Sequence, residues 1–508
     1  MPSAIPACRL RSRHLAIVFI ATAMITSVCA GGIREDVETA VRTAGLGGAT
    51  VGISIVDCDA GRSIVRIRDE DQFIPASNMK LLTTGAALHV LGPNFMFQTR
   101  LIRDGDRLVV VGDGDPAFGD PELLALMPSS DDPGAPAMDI EQFINLWVDP
   151  ILANGSDWIR EVVVDDRIFD QTFVPANWPH DQLNRRYCAQ VAGFNVHLNV
   201  MHYFPRPSSG ARPDFAARFP NVDWIAETNK ATSRTGPNDR SNVWIAREIN
   251  TNKFTFYGNV KHTYRAPVPV TIHDAPTFFA QLLADRLGES RDEPIPSRSA
   301  IEDDPPSAGM LAAPIVRTPL ATVVTRCNRD SQNLYAECLL KRVGHELTGE
   351  AGSWTNGAAM VRHVIYEDLL NPALLAGLRV SDGSGLSRDN RVTPALMTAW
   401  LLSFHENEEL GSIFIDSLAV GGQSGTLHKR FRDDNLHGAT VQAKSGYING
   451  VSCLTGYVTG ANGHRYAFSI LVNDLKPGTV AKAKRFQEKV VSRIGQEIAA
   501  RQVTLGSD

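Results

Sequence analysis

Residues 73–91, FIPASNMKLLTTGAALHVL, decide the fold. Pro75 ends an extended pattern, Ser77 opens a helix of small and apolar residues, and Gly92-Pro93 stops it. At the start of a helix, positions i and i+3 share a face, so the Lys80 amine can reach the Ser77 hydroxyl. A serine hydroxyl is a poor nucleophile until a neighbouring base takes its proton. A lysine can be that base only with a depressed pKa, which burial and a second nearby cation both favour.

A serine three residues before a lysine arises by chance about once in a chain this size. Two further patterns give it weight. Ser331-Gln332-Asn333 is the one S-x-N in the sequence, and Lys444-Ser445-Gly446 is the one lysine followed by a hydroxyl residue and glycine. The first pattern opens a helix, the second lies between helices, and the third is expected to end a strand. Lys444 can be the second cation. With Ser445 it can also clamp a substrate's terminal carboxylate, while Gly446 leaves room for substrate backbone to lie along the strand. Ser331 is positioned to relay a proton from Lys80 to a leaving amine, and Asn333 to hydrogen-bond a substrate amide.

Outward from these patterns, Arg34–Ala44 has helical spacing, and Thr50–Asp57 and Ser63–Arg68 read as a strand pair. From there to about residue 317, short strand candidates (Gln98–Ile102, Leu108–Val111, Glu161–Asp165, Asn242–Arg247) alternate with loops rich in Pro, Gly and Asp. Helices dominate from Thr318: Thr318–Cys327, Gln332–Leu347, Asn356–Leu370 and Pro394–Phe404. Strands at Ala439–Lys444, Ser452–Thr459 and Arg465–Leu471 and a helix Val480–Ala500 complete the chain. Strands near both ends suit one α/β layer closed by both termini. Residues 31–92 and 318–508 would form that split domain, with 93–317 inserted.

The N-terminus has its own character. Arg9, Arg11 and Arg13 precede an apolar run, Leu15–Ala30, of 16 residues, short of the roughly 20 that span a bilayer. This describes a secretory signal over residues 1–30, with Ala30 the last residue lost, and hence an exported, periplasmic or otherwise extracytoplasmic protein. Lipidation at Cys29 and an uncleaved anchor are the alternatives. Removing 1–30, with three arginines and no acids, takes the formal net charge from −6 to −9, which argues against nucleic acid as a partner. Five cysteines remain (Cys58, Cys188, Cys327, Cys338, Cys453), in no metal-binding spacing; one disulfide or buried free thiols both fit. No metal or cofactor is expected: Gly112-Asp113-Gly114-Asp115 reads as a turn, and His197 and His202 near Cys188 form no ligand pattern.

The sequence resembles the D-Ala-D-Ala carboxypeptidases/endopeptidases among the low-molecular-mass class C penicillin-binding proteins. The resemblance rests on FIPASNMKLLTTGAALHVLGPNFMFQT, VVVGDGDPAF, VVVDDRIFD, NRDSQNLYAECLLKRVG, VSDGSGLSRDNRVTP and AKSGYINGV followed by LTGYV, and on the 253 residues between Ser77 and Ser331. It implies an α/β fold, a penicillin-binding/β-lactamase-like catalytic domain (antiparallel sheet flanked by helices), with two accessory β-rich domains between the first and second motifs. It implies that Ser77 is acylated by peptidoglycan stem peptides and β-lactams with Lys80 as base, and that Ser331, Asn333 and Lys444 complete the catalytic set. Backbone N–H groups of Ser77 and Tyr447 would form the oxyanion hole, and Ser445 and Gly446 would line the carboxylate end. Asp165 and Arg388, with Phe169 and Asn449 beside them, would bind the substrate's side chain. A serine β-lactamase and a catalytically weak muropeptide- or β-lactam-binding protein are the other readings. No Glu-based water-activating segment stands between the first two motifs, and the motif side chains are all retained.

Overall fold

The computed structural model describes residues 32–130, 132, 134–210, 212–432 and 436–505. The proposed signal, with Cys29, lies outside the described residues.

The chain begins with α1 (Gly32–Thr43), β1 (Thr50–Asp57), β2 (Arg62–Ile67) and α2 (Met79–Leu91). It ends with β15 (Ala419–Val420), β16 (Thr440–Ile448), β17 (Val451–Thr459), β18 (Arg465–Asn473) and α12 (Val480–Leu505). These strands form one sheet in the order β15-β16-β17-β18-β1-β2, antiparallel at every pairing. Its central strands are buried along almost their whole length, because helices cover both faces. On one face, α1 and α12 pack over Val51, Ile53, Leu454 and Ile470. The other face meets α2 and α10 (Pro394–Glu406), with α6 (Leu320–Arg329), α7 (Asn333–Thr348), α8 (Trp354–Leu369), α9 (Pro372–Leu375) and α11 (Gly411–Asp416) beyond. Helix α2 is buried nearly all round, which its apolar and small residues permit.

Between α2 and α6 run β3 (Met96–Asp104), β4 (Arg107–Val111), α3 (Pro121–Leu124), α4 (Ile140–Ala153), β5 (Glu161–Asp165), β6 (Val200–Tyr203), β7 (Arg218–Phe219), β8 (Glu227–Asn229), β9 (Trp244–Arg247), β10 (Phe254–Tyr257), β11 (Val268–Thr271), α5 (Ala275–Gly288), β12 (Ser297–Ser299), β13 (Met310–Leu311) and β14 (Val316–Pro319). They make a mixed sheet, β12-β5-β4-β3-β13 with β14 also on β3, and two three-stranded sheets, β8-β10-β9 and β11-β6-β7. A single apolar cluster joins all three sheets with α4 and α5. Phe169, Trp178, Cys188, Val191, Leu198 and Val200 instead pack among the helices that cover the main sheet. Part of the intervening segment is therefore wall to that domain.

One expectation changes and one open choice is decided. Lys444-Ser445-Gly446 lies inside β16, which runs on to Ile448 paired with β17, because Tyr447 and Ile448 continue the ladder. All five cysteines in the described residues are buried free thiols; no two are paired. Burial pushes Cys58, Cys188, Cys327 and Cys453 up to about 12, which keeps them as thiols at neutral pH.

One buried ionic knot ties the intervening segment to the helices. Asp120, fully buried and N-cap of α3, accepts from Nε and Nη2 of Arg326 on α6, closest at 2.8 Å, and from the Tyr335 hydroxyl on α7 at 2.6 Å. Removing Asp120 leaves Nε and Nη2 of Arg326 and the buried Tyr335 hydroxyl without their acceptor, with only Glu122 and Asp330 still on Arg326 Nη1. Asp120→Ala should lower the unfolding free energy by about 3–5 kcal/mol, measured by urea denaturation; a change under about 1 kcal/mol would show the knot to be energetically idle.

Candidate active site

The first motif is built on a tight turn. Ala76 has φ +46°, a strained value for a residue with a side chain, and Ala76–Asn78 form one 3₁₀ turn before α2. Ser77 therefore sits just before the α-helix, at a partly open position, with Lys80 one turn on and fully buried. The Lys80 Nζ donates to Ser77 Oγ at 3.2 Å, to Asn333 Oδ1 at 2.7 Å and to the Ser384 carbonyl at 2.8 Å. Burial drives its pKa below the ordinary lysine value, against the attraction of Glu337 and Asp382.

The second motif turns on Ser331, whose φ of +62° is again left-handed and directs the chain from α6 into α7. Lys444 Nζ, fully buried on β16, donates to Ser331 Oγ at 2.9 Å and to the Ser445 carbonyl at 2.9 Å. Burial, then repulsion from Lys80, holds Lys444 well below the usual lysine range. Ser445 Oγ donates to Thr426 Oγ1 at 2.9 Å. Asn333 is engaged at both ends: its oxygen accepts from Lys80, and its nitrogen donates to the Tyr187 carbonyl at 2.8 Å.

Close approach explains two glycines. A Cβ on Gly446 would lie 2.8 Å from the Pro75 carbonyl and 3.1 Å from the Ser77 nitrogen, so β16 runs directly against the Ser77 turn. Gly385, at φ +81°, would place a Cβ 1.8 Å from the Ala76 carbonyl. Both contacts admit only hydrogen at these positions.

These parts open on a cleft of about 690 Å³, lined by Ser77, Ser331, Asn333, Tyr447, Arg388 and Asn449 among others. Arg388 is exposed at the rim and donates to the Asn449 carbonyl at 2.8 Å. The structure does not bring Asp165 or Phe169 into this cleft. Asp165 ends β5 and pairs with Arg167 at 2.7 Å, on the wall of a separate pocket that also holds Arg100 and Asp113. The Phe169 ring is buried beneath Gly114, where an added Cβ would come within 2.4 Å of it. The VVVDDRIFD resemblance located the strand but not where its side chains point.

Sequence reading missed Asn177, Trp178, Gln182 and Tyr187, which also line the cleft. They come from irregular chain after β5, where no periodicity marks a wall. Trp178 Nε1 donates to Asp382 at 2.9 Å, which fixes that wall to the DGSG loop. It also missed Glu337, although i+4 spacing from Asn333 puts both on one face of α7.

Among the described residues, one group could present ligand atoms to a metal ion: Asp57, Asp59 and His464, within 4.8 Å of one another. Asp57 already pairs with Arg501 at 2.8 Å, and the group sits at the end of β1 away from the cleft lining. The Asp113–Asp115 turn is held by protein donors: Gln98 N to Asp113, and Thr318 Oγ1 and Ala117 N to Asp115. His197 and His202 stack edge to face at 4.6 Å, and burial depresses both, His202 to about 3.

Residues 33–493 match the family model described as D-Ala-D-Ala carboxypeptidase 3 (S13). The chain is 28% identical over 467 residues to the D-alanyl-D-alanine carboxypeptidase of Actinomadura sp. strain R39, covering 87% of this chain and 81% of that one. It is 22% identical over 456 residues to the D-alanyl-D-alanine carboxypeptidase DacB of Haemophilus influenzae, covering 86% and 88%. The crystal structure of penicillin binding protein 4 (dacB) from Haemophilus influenzae superposes with a TM-score of 0.68 at 19% identity, over 91% of this chain and 99% of that one. The antiparallel sheet, its helical layers and the segment inserted between α2 and α6 are thus a penicillin-binding-protein fold. With the family model matched over nearly all of the described chain, the protein belongs to the D-Ala-D-Ala carboxypeptidase 3 (S13) family and is a peptidase of that class.

Proposed function

We infer that the protein is a serine-type D-Ala-D-Ala carboxypeptidase that hydrolyses peptidoglycan stem peptides through an acyl-enzyme on Ser77, with DD-endopeptidase activity at the same site. The observation that carries this reading is the Lys80 amine, buried and directed at Ser77 Oγ by two fixed acceptors, the Asn333 oxygen and the Ser384 carbonyl. A neutral amine uses its two N–H groups on those acceptors and turns its lone pair to the hydroxyl. Ser77 then attacks the carbonyl carbon of the penultimate D-alanine, and its proton passes to Lys80. Backbone N–H groups of Ser77 and Tyr447 receive the developing oxyanion.

Collapse of the tetrahedral intermediate breaks the peptide bond, and the leaving amine takes the Ser331 hydroxyl proton, which is replaced by the one Lys80 took from Ser77. The Ser331 oxygen accepts from Lys444, so its own hydrogen is free to pass on. Lys444 and Ser445 hold the terminal carboxylate, and the second lone pair of Asn333 Oδ1 accepts a substrate amide. Water then attacks the ester carbonyl as Lys80 takes one of its protons, and the C–O bond to Ser77 breaks as Lys80 returns that proton to Ser77 Oγ, which restores the resting hydroxyl and the neutral amine. A β-lactam ring presents the same carbonyl and carboxylate and acylates Ser77. Arg388 and Asn449 at the rim contact the substrate side chain. Export across the cytoplasmic membrane fits this substrate, and no helix among the described residues is long and apolar enough to cross a membrane.

A fluorescent penicillin should give a persistent adduct that Ser77→Ala abolishes, and the protein should release D-alanine from a pentapeptide. No adduct would sink the reading; rapid loss of label would favour a β-lactamase, and an adduct without D-alanine release a binding protein. Lys80→Ala should slow acylation by about 10²–10⁴-fold, the usual worth of a general base. The acylation rate should also rise with pH as Lys80 loses its proton, with its midpoint below the ordinary lysine pKa because burial disfavours the charged amine. A pH-rate profile rising only near the free-lysine value would exclude Lys80 as base.

A further inference from the structure

We propose that Glu337 is a positioning residue for the acylation step, acting through the Gly383-Ser384 backbone to fix the carbonyl that orients Lys80. The proposal rests on the reading of Ser77 and Lys80 given above.

Glu337 lies one turn after Asn333 on α7 and is fully buried. Its carboxylate takes three donors: Trp354 Nε1 at 2.9 Å, Gly383 N at 2.9 Å and Ser384 N at 2.8 Å. Two consecutive backbone N–H groups on one carboxylate leave that peptide segment little freedom to rotate. Its carbonyls point the other way, to α2. The Gly383 carbonyl accepts from Thr83 Oγ1 at 2.8 Å, and the Ser384 carbonyl accepts from Lys80 Nζ at 2.8 Å. One peptide segment is thus clamped between a carboxylate on α7 and the base on α2. Asn333 supplies the other acceptor from the same helix, so α7 sets both directions that aim the Lys80 lone pair at Ser77.

A purely structural carboxylate would be an expensive choice here, since burial penalises its charge. Burial, then repulsion from Asp382, pushes Glu337 up to about 7. The titratable groups close enough to feel its charge are Lys80 on α2, Asp382 in the adjoining loop, Cys327 on α6, and Cys338 and Lys341 on its own helix. Asp382 is held by Trp178, Gly385 N, Ser387 N and Asn390 and belongs to the same clamp. A negative Glu337 favours the protonated form of Lys80. Removing that charge should let Lys80 lose its proton at lower pH while loosening the carbonyl that orients it.

The test is the pH profile of acylation by fluorescent penicillin in the full-length protein, with adduct stoichiometry at saturation and thermal unfolding measured alongside. Glu337→Gln should slow acylation at its pH optimum by roughly tenfold or more and move the acid limb to lower pH, while full stoichiometry is still reached. Trp354→Phe, which keeps a ring and removes one donor to the carboxylate, should move the same limb in the same direction by less. A folded Glu337→Gln protein with the wild-type rate, or with a reduced rate and an unmoved limb, overturns the proposal. If Glu337→Gln does not fold, a shifted limb in Trp354→Phe supports it and an unmoved limb overturns it. Failure of the wild-type protein to acylate at Ser77 would instead remove the reading of the site on which it rests.

Discussion

Two buried lysine amines meet at the centre of this molecule, and much of the structure exists to hold them there. A charged amine without water costs several kcal/mol unless it is paired, and here each amine is surrounded by neutral acceptors instead. Lys80 has a hydroxyl, an amide oxygen and a carbonyl; Lys444 has a hydroxyl and a carbonyl. Such sites favour the neutral amine, which is the form that can take a proton from a serine. The cost appears as strain nearby. Ala76 and Ser331 both adopt left-handed backbone, at about 1–3 kcal/mol each, so that the two serines face the two amines.

Packing keeps that strain in place. Gly446 brings β16 against the Ser77 turn, and Gly385 brings the DGSG loop against the Ala76 carbonyl. Loop, strand and helix therefore close on one point from three directions. The intervening segment supplies a fourth. The Tyr187 carbonyl accepts from Asn333, Trp178 donates to Asp382, and Asp120 anchors Arg326 and Tyr335. Residues distant in sequence from the three motifs thus set the position of Asn333 and of the loop that carries Ser384. The segment's remaining bulk packs its three sheets around its own apolar cluster.

Local chemistry made much of this legible in the sequence. The terminal strands alternate or run apolar, α2 is bounded by Pro75 and Gly92-Pro93, and Lys80 follows Ser77 by one helical turn, so fold class and the first pair needed no tertiary knowledge. Ser331, Asn333, Lys444, Arg388 and Asn449 all reach the cleft or its floor. Asp165 shows where such reasoning stops. A strand pattern says which residues alternate, but which face meets the cleft depends on where the whole mixed sheet docks, and there Asp165 pairs with Arg167 on the wall of another pocket.

The sequence by itself determined the residue types that can do the chemistry, their order along the chain, and the helix that places Lys80 beside Ser77, because these follow from short-range periodicity and from what an amine and a hydroxyl can do. Only the tertiary structure decided that Lys80 and Lys444 lose their water, that Glu337 and the Gly383-Ser384 peptide lie behind the base, and that Trp178 and Tyr187 close the cleft. Burial and hydrogen-bond direction come from contacts between residues hundreds of positions apart, and no local pattern encodes them.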